Sequence, residues 1–170
     1  MKSILIVLAP KNFRDEEYAV PRAVWEKAGA NVLTMSIQKI SYGKLGMTVK
    51  NDFLLEEVRA GDADAIFFVG GGGCMEYLEN EKAEQLAHDF VAARKPIGAI
   101  CAAPRLLLKW GILKGKKCTG WDGDNALEDL ARKGGAIYEK KSVIKDGKFV
   151  TADGPDSAEE CALAFWETLG

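Results

Sequence analysis

The strongest constraint on the fold is a set of short aliphatic runs that carry no polar alternation. Ser3–Ala9 is one continuous run and Asp64–Val69 (Asp-Ala-Ile-Phe-Phe-Val) is another. A strand that is apolar on both faces must be covered on both, as in a parallel sheet held between two helical layers. Helix-patterned segments separate the runs. Glu16–Gly29 repeats Val20, Val24 and Ala28 at helical spacing and has Gly29 placed to stop it. Because Pro21 is tolerated only near a first turn, the regular helix is expected to begin close to it. Asn31–Ile37 is a second strand, and Ser41–Asp52, with Gly43 and Gly46, is irregular with room for a short hairpin. After the Asp64–Val69 strand come a helix at Asn80–Arg94, a strand at Pro96–Ile100, a helix at Ala103–Trp110, a short strand at Lys117–Gly120 and a helix at Asn125–Arg132. Ser142–Lys145 and Lys148–Thr151 flank Asp146-Gly147, a hairpin signal, and Ser157–Leu169 closes the chain as an amphipathic helix. This β-α-β-α alternation predicts an α/β fold with a mostly parallel sheet and helices on both faces. The 170 residues amount to one domain, spanning 1–170.

Composition removes several classes of function. Twenty-three Lys and Arg against 25 Asp and Glu leave a net charge of −2, a poor match to nucleic acid or to an anionic membrane surface. No apolar run approaches the ~20 residues that cross a bilayer. The first ten residues mimic a short signal peptide, but Lys11, Arg14, Asp15, Glu16 and Glu17 follow at once, which suits a buried first strand better. Cys74, Cys101, Cys118 and Cys161 lie far apart, with no C-x-x-C pair and a single histidine. That pattern argues against a zinc site or redox dithiol, so no metal and no cofactor is expected. It points to a reduced, cytoplasmic protein in which any important cysteine acts alone.

In open α/β sheets, sites form at the carboxyl ends of the strands. Gly98-Ala99-Ile100-Cys101-Ala102-Ala103-Pro104 ends a strand at Cys101 and starts a helix within two residues. Ala99 and Ala103, two positions either side, give the small-x-nucleophile-x-small pattern of a nucleophile elbow, where a sharp turn has no room for larger neighbours. Backbone N–H groups at the following helix start would favour a thiolate. A free thiol of pKa about 8.5 is only about 3% ionised at pH 7, so hydrogen bonds must add to the helix end. The same local pattern also suits an ordinary buried strand-end cysteine. Gly70–Gly73 follows another strand and lacks the third glycine of a dinucleotide loop, Met75 standing there; bare N–H groups would serve either an oxyanion hole or a tight turn. The acids of Arg14-Asp15-Glu16-Glu17 suit a helix N-terminus, or one of them leans into the site. Trp121, after the Lys117–Gly120 strand, lines the site or packs in the core, and Cys74 lies just past the glycine loop. His88 falls off the apolar face of its helix, which places it outside the chemistry.

Together these residues resemble the ThiJ/PfpI superfamily, which includes intracellular proteases, glyoxalases and protein deglycases. The resemblance covers nearly the whole chain. It rests on Glu17 four residues before Pro21, Asp64-Ala-Ile-Phe-Phe-Val-Gly-Gly, Ala99-Ile-Cys-Ala-Ala-Pro, Asp146-Gly147, and Gly154-Pro155 before the last helix. It implies a flavodoxin-like three-layer sandwich of the class I glutamine amidotransferase type. It also implies that Cys101 is the reactive thiol, Glu17 the carboxyl beside it, and Gly70 and Gly71 the glycine pair whose backbone faces the thiol, with the Ala102 N–H beside them. A homodimer is implied as well. Two positions depart from the family. Ala102 stands where the protease branch has a histidine, and Trp121 stands where the deglycase branch has one.

Without an imidazole to protonate a leaving amine, peptide hydrolysis of the PfpI type is the weaker expectation. A protonated Glu17 that donates its proton to the sulfur and then shuttles protons fits addition of the Cys101 thiolate to a small reactive carbonyl, free or on a glycated protein, without a cofactor. The other reading keeps the same site in a non-enzymatic oxidative-stress sensor or chaperone, acting through oxidation of Cys101.

Overall fold

The computed structural model describes residues 1–170. In chain order its elements are β1 (Ser3–Val7), β2 (Lys11–Phe13), α1 (Asp15–Lys27), β3 (Asn31–Ser36), β4 (Ile40–Gly43), β5 (Thr48–Lys50), β6 (Phe53–Leu54), β7 (Ala65–Phe68), α2 (Gly72–Leu78), α3 (Glu81–Ala92), β8 (Ile97–Ile100), α4 (Pro104–Lys109), β9 (Lys117–Cys118), α5 (Leu127–Lys133), β10 (Ile137–Tyr138), β11 (Val143–Asp146), β12 (Phe149–Ala152) and α6 (Ala158–Glu167). Seven strands form the central sheet in the order β11-β12-β8-β7-β1-β3-β6. All neighbours run parallel except the β11–β12 hairpin. This is the expected three-layer, flavodoxin-like α/β sandwich.

The unalternating strands are buried because both faces are covered. β7 and β8 have no exposed residue, and successive residues point to opposite layers. Phe67 packs edge-on against Trp25 of α1, at 5.0 Å between ring centroids, and against Phe165 of α6, at 5.3 Å. Its neighbour Phe68 meets Trp110 on the opposite side at 5.9 Å. The Trp25 indole N–H donates to the Ala162 carbonyl at 2.9 Å and so ties α1 to α6. Gly98 sits beneath this aromatic group, where a Cβ would overlap the Phe67 ring and come within 2.9 Å of Phe165. Gly98→Ala is therefore expected to destabilise the fold by about 3 kcal/mol, as overpacking of a filled core does. Urea unfolding checks this, and an unchanged midpoint would contradict the packing described.

Several boundaries differ from the sequence expectation. The first helix does not begin near Pro21 but at Asp15, so that Pro21 lies in its interior. The residue whose carbonyl a helix would pair with the missing Pro21 N–H is Glu17, four positions earlier. The interior proline is thus tied to the residue that the helix delivers to the site. The closing hairpin turns on Gly147-Lys148, not Asp146-Gly147, since Asp146 pairs with Phe149. Gly147 supplies the positive φ of +62° that such a turn needs. The Lys117–Gly120 strand is shorter than expected, and pairs with β10 in a separate two-stranded ribbon. The Ser41–Asp52 region does hold a hairpin, β4–β5, which joins β2 in a small second sheet.

Candidate active site

Three strand ends meet where the order of the sheet reverses, next to β1. From β1 the chain passes through β2 into α1, whose first turn carries Glu17. From β7 it runs into Gly70 and Gly71, and from β8 into Cys101. Such a switch point is where open α/β sheets bind ligands.

Cys101 adopts φ +61°, a left-handed conformation that a side-chain-bearing residue rarely takes. Its own peptide groups hold it there. The Cys101 N–H donates to the Ala152 carbonyl at 2.8 Å, and its carbonyl accepts the Trp121 N–H at 2.7 Å. The N–H groups of Gly71 and Ala102 both face the sulfur. A cavity of about 340 Å³ opens above it, with Glu17, Gly71, Ala102 and Trp121 in its walls.

Glu17 is fully buried. Its Oε2 accepts the Gly70 N–H at 3.0 Å, while Oε1 is buried without a hydrogen-bond partner. Burial raises the Glu17 pKa from an ordinary 4.5 to about 7, against the opposing pull of the Cys101 thiol and the Gly70 N–H. The thiol itself departs from the sequence expectation. Burial, and then the charge and hydrogen bond of Glu17, push it up to about 12, outweighing the Gly71 and Ala102 N–H groups that favour the thiolate. The resting pair is thus a protonated thiol beside a carboxyl that titrates near neutrality.

The raised Glu17 pKa has a consequence for stability. Between pH 4.5 and about 7 the folded chain keeps a proton that the unfolded chain has released. Stability therefore falls as pH rises through this window and levels off above it, by about 3 kcal/mol for this group. Glu17→Gln cannot ionise, so its stability relative to the natural protein should rise across the same window. Urea unfolding at pH 5 and pH 8 measures the difference, and an equal difference at both values would contradict the assignment.

Two expected site residues are placed differently. Gly70 does not offer its N–H to an oxyanion, because Glu17 occupies it. A Cβ there would come within 2.6 Å of Glu17 Oε2 and 2.8 Å of Cys101 Cβ, so Gly70 serves the close approach of the pair. Cys74 does not line the pocket. It lies on the inward side of α2, fully buried, with its thiol pushed up to about 12 by burial. Trp121 does line the pocket and remains 42% exposed. His88 is half-exposed on α3, 4.0 Å from Glu84, and is not among the pocket residues. No imidazole stands at the thiol.

Besides Gly72 of the glycine run, the sequence reading missed three lining residues: Arg14, Lys44 and Pro155. Arg14 adjoins the acidic run, where only the acids were weighed, and it pairs with Glu16 at 2.9 Å. Lys44 arrives on the β4–β5 turn, which Asp15 pins by accepting the Leu45 and Met47 N–H groups at 2.9 Å each. Pro155 belongs to the Gly154-Pro155 pair already singled out. A larger cleft of about 620 Å³ lies elsewhere, between α2, α4 and α5, and Cys101 is not among the residues that line it. No group of three or more His, Cys, Asp or Glu side chains converges in a way that would hold a metal ion, and no helix is long and apolar enough to cross a membrane.

A left-handed strand-end cysteine backed by a buried glutamate, in a flavodoxin-like sandwich, defines a class of α/β proteins with a thiol at an elbow above the sheet. The chain belongs to the DJ-1/PfpI family, whose model matches residues 2–168. YraA of Bacillus subtilis, which carries a provisional name as a cysteine protease, is 33% identical over 161 residues, covering 94% of each chain. Deglycase PfpI of Pyrococcus furiosus is 30% identical over 152 residues, covering 89% of this chain and 90% of its own. The crystal structure of a ThiJ/PfpI domain protein from Brachyspira murdochii superposes with a TM-score of 0.91 at 32% identity, covering 98% of this chain and 95% of that one.

Proposed function

We propose that the protein is a cofactor-independent enzyme that uses Cys101 and Glu17 to transform small reactive carbonyls, free 2-oxoaldehydes or their adducts on amines. The observation that carries this reading is the pairing of a buried carboxyl, titrating near pH 7, with a thiol at a strained elbow and with no imidazole beside them. A thiol held at about 12 does not ionise unaided at neutral pH. A carboxylate against it takes the proton as the sulfur attacks.

With a 2-oxoaldehyde the steps balance as follows. Sγ bonds to the aldehyde carbon as Glu17 accepts the thiol proton. The carbonyl oxygen, facing the N–H groups of Gly71 and Ala102, then takes that proton and a hemithioacetal results. Glu17, again ionised, removes the proton on the sulfur-bearing carbon and returns it to the neighbouring carbon, while the hydroxyl proton of the hemithioacetal passes to the oxygen of that neighbouring carbon. The first carbon is thereby oxidised to a thioester and the second reduced to an alcohol. Water cleaves the thioester, restores the thiol and releases a 2-hydroxy acid. A peptide would demand protonation of a leaving amine, for which no imidazole is at hand. The name deglycase borne by the Pyrococcus furiosus relative is consistent with carbonyl chemistry of this kind.

The test is consumption of methylglyoxal by the purified chain with no added thiol or metal. Turnover to lactate is expected, together with negligible hydrolysis of casein. Robust casein hydrolysis without methylglyoxal turnover would overturn the reading.

A further inference from the structure

We infer that Arg105 is a positioning residue that clamps Trp121 as the wall of the Cys101 pocket and so limits the size of the carbonyl substituent admitted. The inference rests on the carbonyl reading above for its substrate, but not for its geometry. Arg105 is the second residue of α4, four positions after Cys101, and its side chain is only 12% exposed. One guanidinium nitrogen donates to Asp124 Oδ2 at 2.9 Å. The other donates to Asp124 Oδ1 at 2.6 Å and to the Trp121 carbonyl at 2.9 Å. The guanidinium Cζ lies over the Trp121 ring, 4.9 Å from the ring centroid.

Trp121 is thus held at three points. Its N–H is fixed to the elbow through the Cys101 carbonyl, its own carbonyl is fixed to Arg105, and its ring rests against Arg105. Gly123 closes the other side of the turn, where a Cβ would come within 2.5 Å of the indole. A lysine offers one point charge and no planar fork, so it cannot hold the carboxylate, the carbonyl and the ring together. An indole standing beside the thiol, held this firmly, would admit a narrow carbonyl and exclude a broad one.

The test compares alkylation of Cys101 by a small reagent, iodoacetamide, and a broad one, N-phenylmaleimide, with adducts mapped by mass spectrometry. The ratio of the two rates cancels changes in thiol reactivity and reads access. Arg105→Ala should raise the broad-to-small ratio about tenfold, and Arg105→Lys should raise it less. Asp124→Ala, at an exposed position, should raise it in the same direction. Trp121→Ala should raise it as well, and Arg105→Ala should then add nothing in that background. A ratio unchanged in both the Arg105→Ala and Asp124→Ala proteins, or one that Arg105→Ala raises further in the Trp121→Ala protein, would overturn the clamp. Alkylation needs no turnover, so failure of the carbonyl reading leaves this result standing, and a failed clamp leaves methylglyoxal turnover untouched.

Discussion

Cys101→Ser is expected to abolish methylglyoxal consumption, with kcat/KM lower by about a thousandfold or more. The substitution keeps the size of the side chain and leaves the backbone bonds to Ala152 and Trp121 in place, so the elbow should persist. What is lost is a nucleophile whose proton Glu17 can accept. A serine hydroxyl is far less acidic than even this thiol, and a carboxylate of pKa about 7 is too weak a base for it. No other thiol can take over. Cys74, Cys118 and Cys161 are all buried, and burial pushes the Cys118 thiol up to about 11 and that of Cys74 to about 12. Steady-state kinetics beside a thermal melt separate lost chemistry from lost fold. A folded Cys101→Ser protein retaining a tenth of the activity would remove the thiol from the mechanism.

Glu17→Gln should have the second largest effect. The amide oxygen can still accept the Gly70 N–H that now reaches Oε2 at 3.0 Å. It cannot accept the thiol proton or pass one between neighbouring carbons. kcat should fall by about 10²- to 10⁴-fold, the range general acid–base groups supply, with KM little changed. Glu17→Asp keeps the acid and shortens the reach, so its kcat should lie between those of the other two proteins. A Glu17→Gln protein within a few-fold of the natural kcat would leave the carboxyl a structural residue only.

Local pattern carried much of this. The buried strands show in Ser3–Ala9 and Asp64–Val69 because a strand covered on both faces needs no polar alternation. The elbow shows in Ala99-Ile-Cys-Ala-Ala because steric crowding at a sharp turn acts over two residues. What stayed hidden depends on elements brought together from afar. The Gly70 N–H looked free until α1 delivered Glu17 to it across 53 residues of chain. Cys74 follows the glycine loop in sequence, but the rotation of α2 turns it into the core. The Cys101 thiol looked acidic from its helix-start neighbours, whereas burial by surrounding elements and one carboxyl decide its state. The hold of Arg105 on Trp121 spans 16 residues and leaves no periodic trace. Pro21 misplaced the start of α1, because tertiary packing retained a helix through a residue that weakens it.

The most direct measurement of the coupled pair is the pH profile of kcat/KM for methylglyoxal in the natural protein and in Glu17→Gln. The carboxylate is the base, so activity should rise with pH through an inflection near 7, the value burial gives Glu17, and that inflection should vanish from the residual activity of Glu17→Gln. The same inflection in both proteins, or activity in the natural protein that falls as pH rises through 7, would contradict the account.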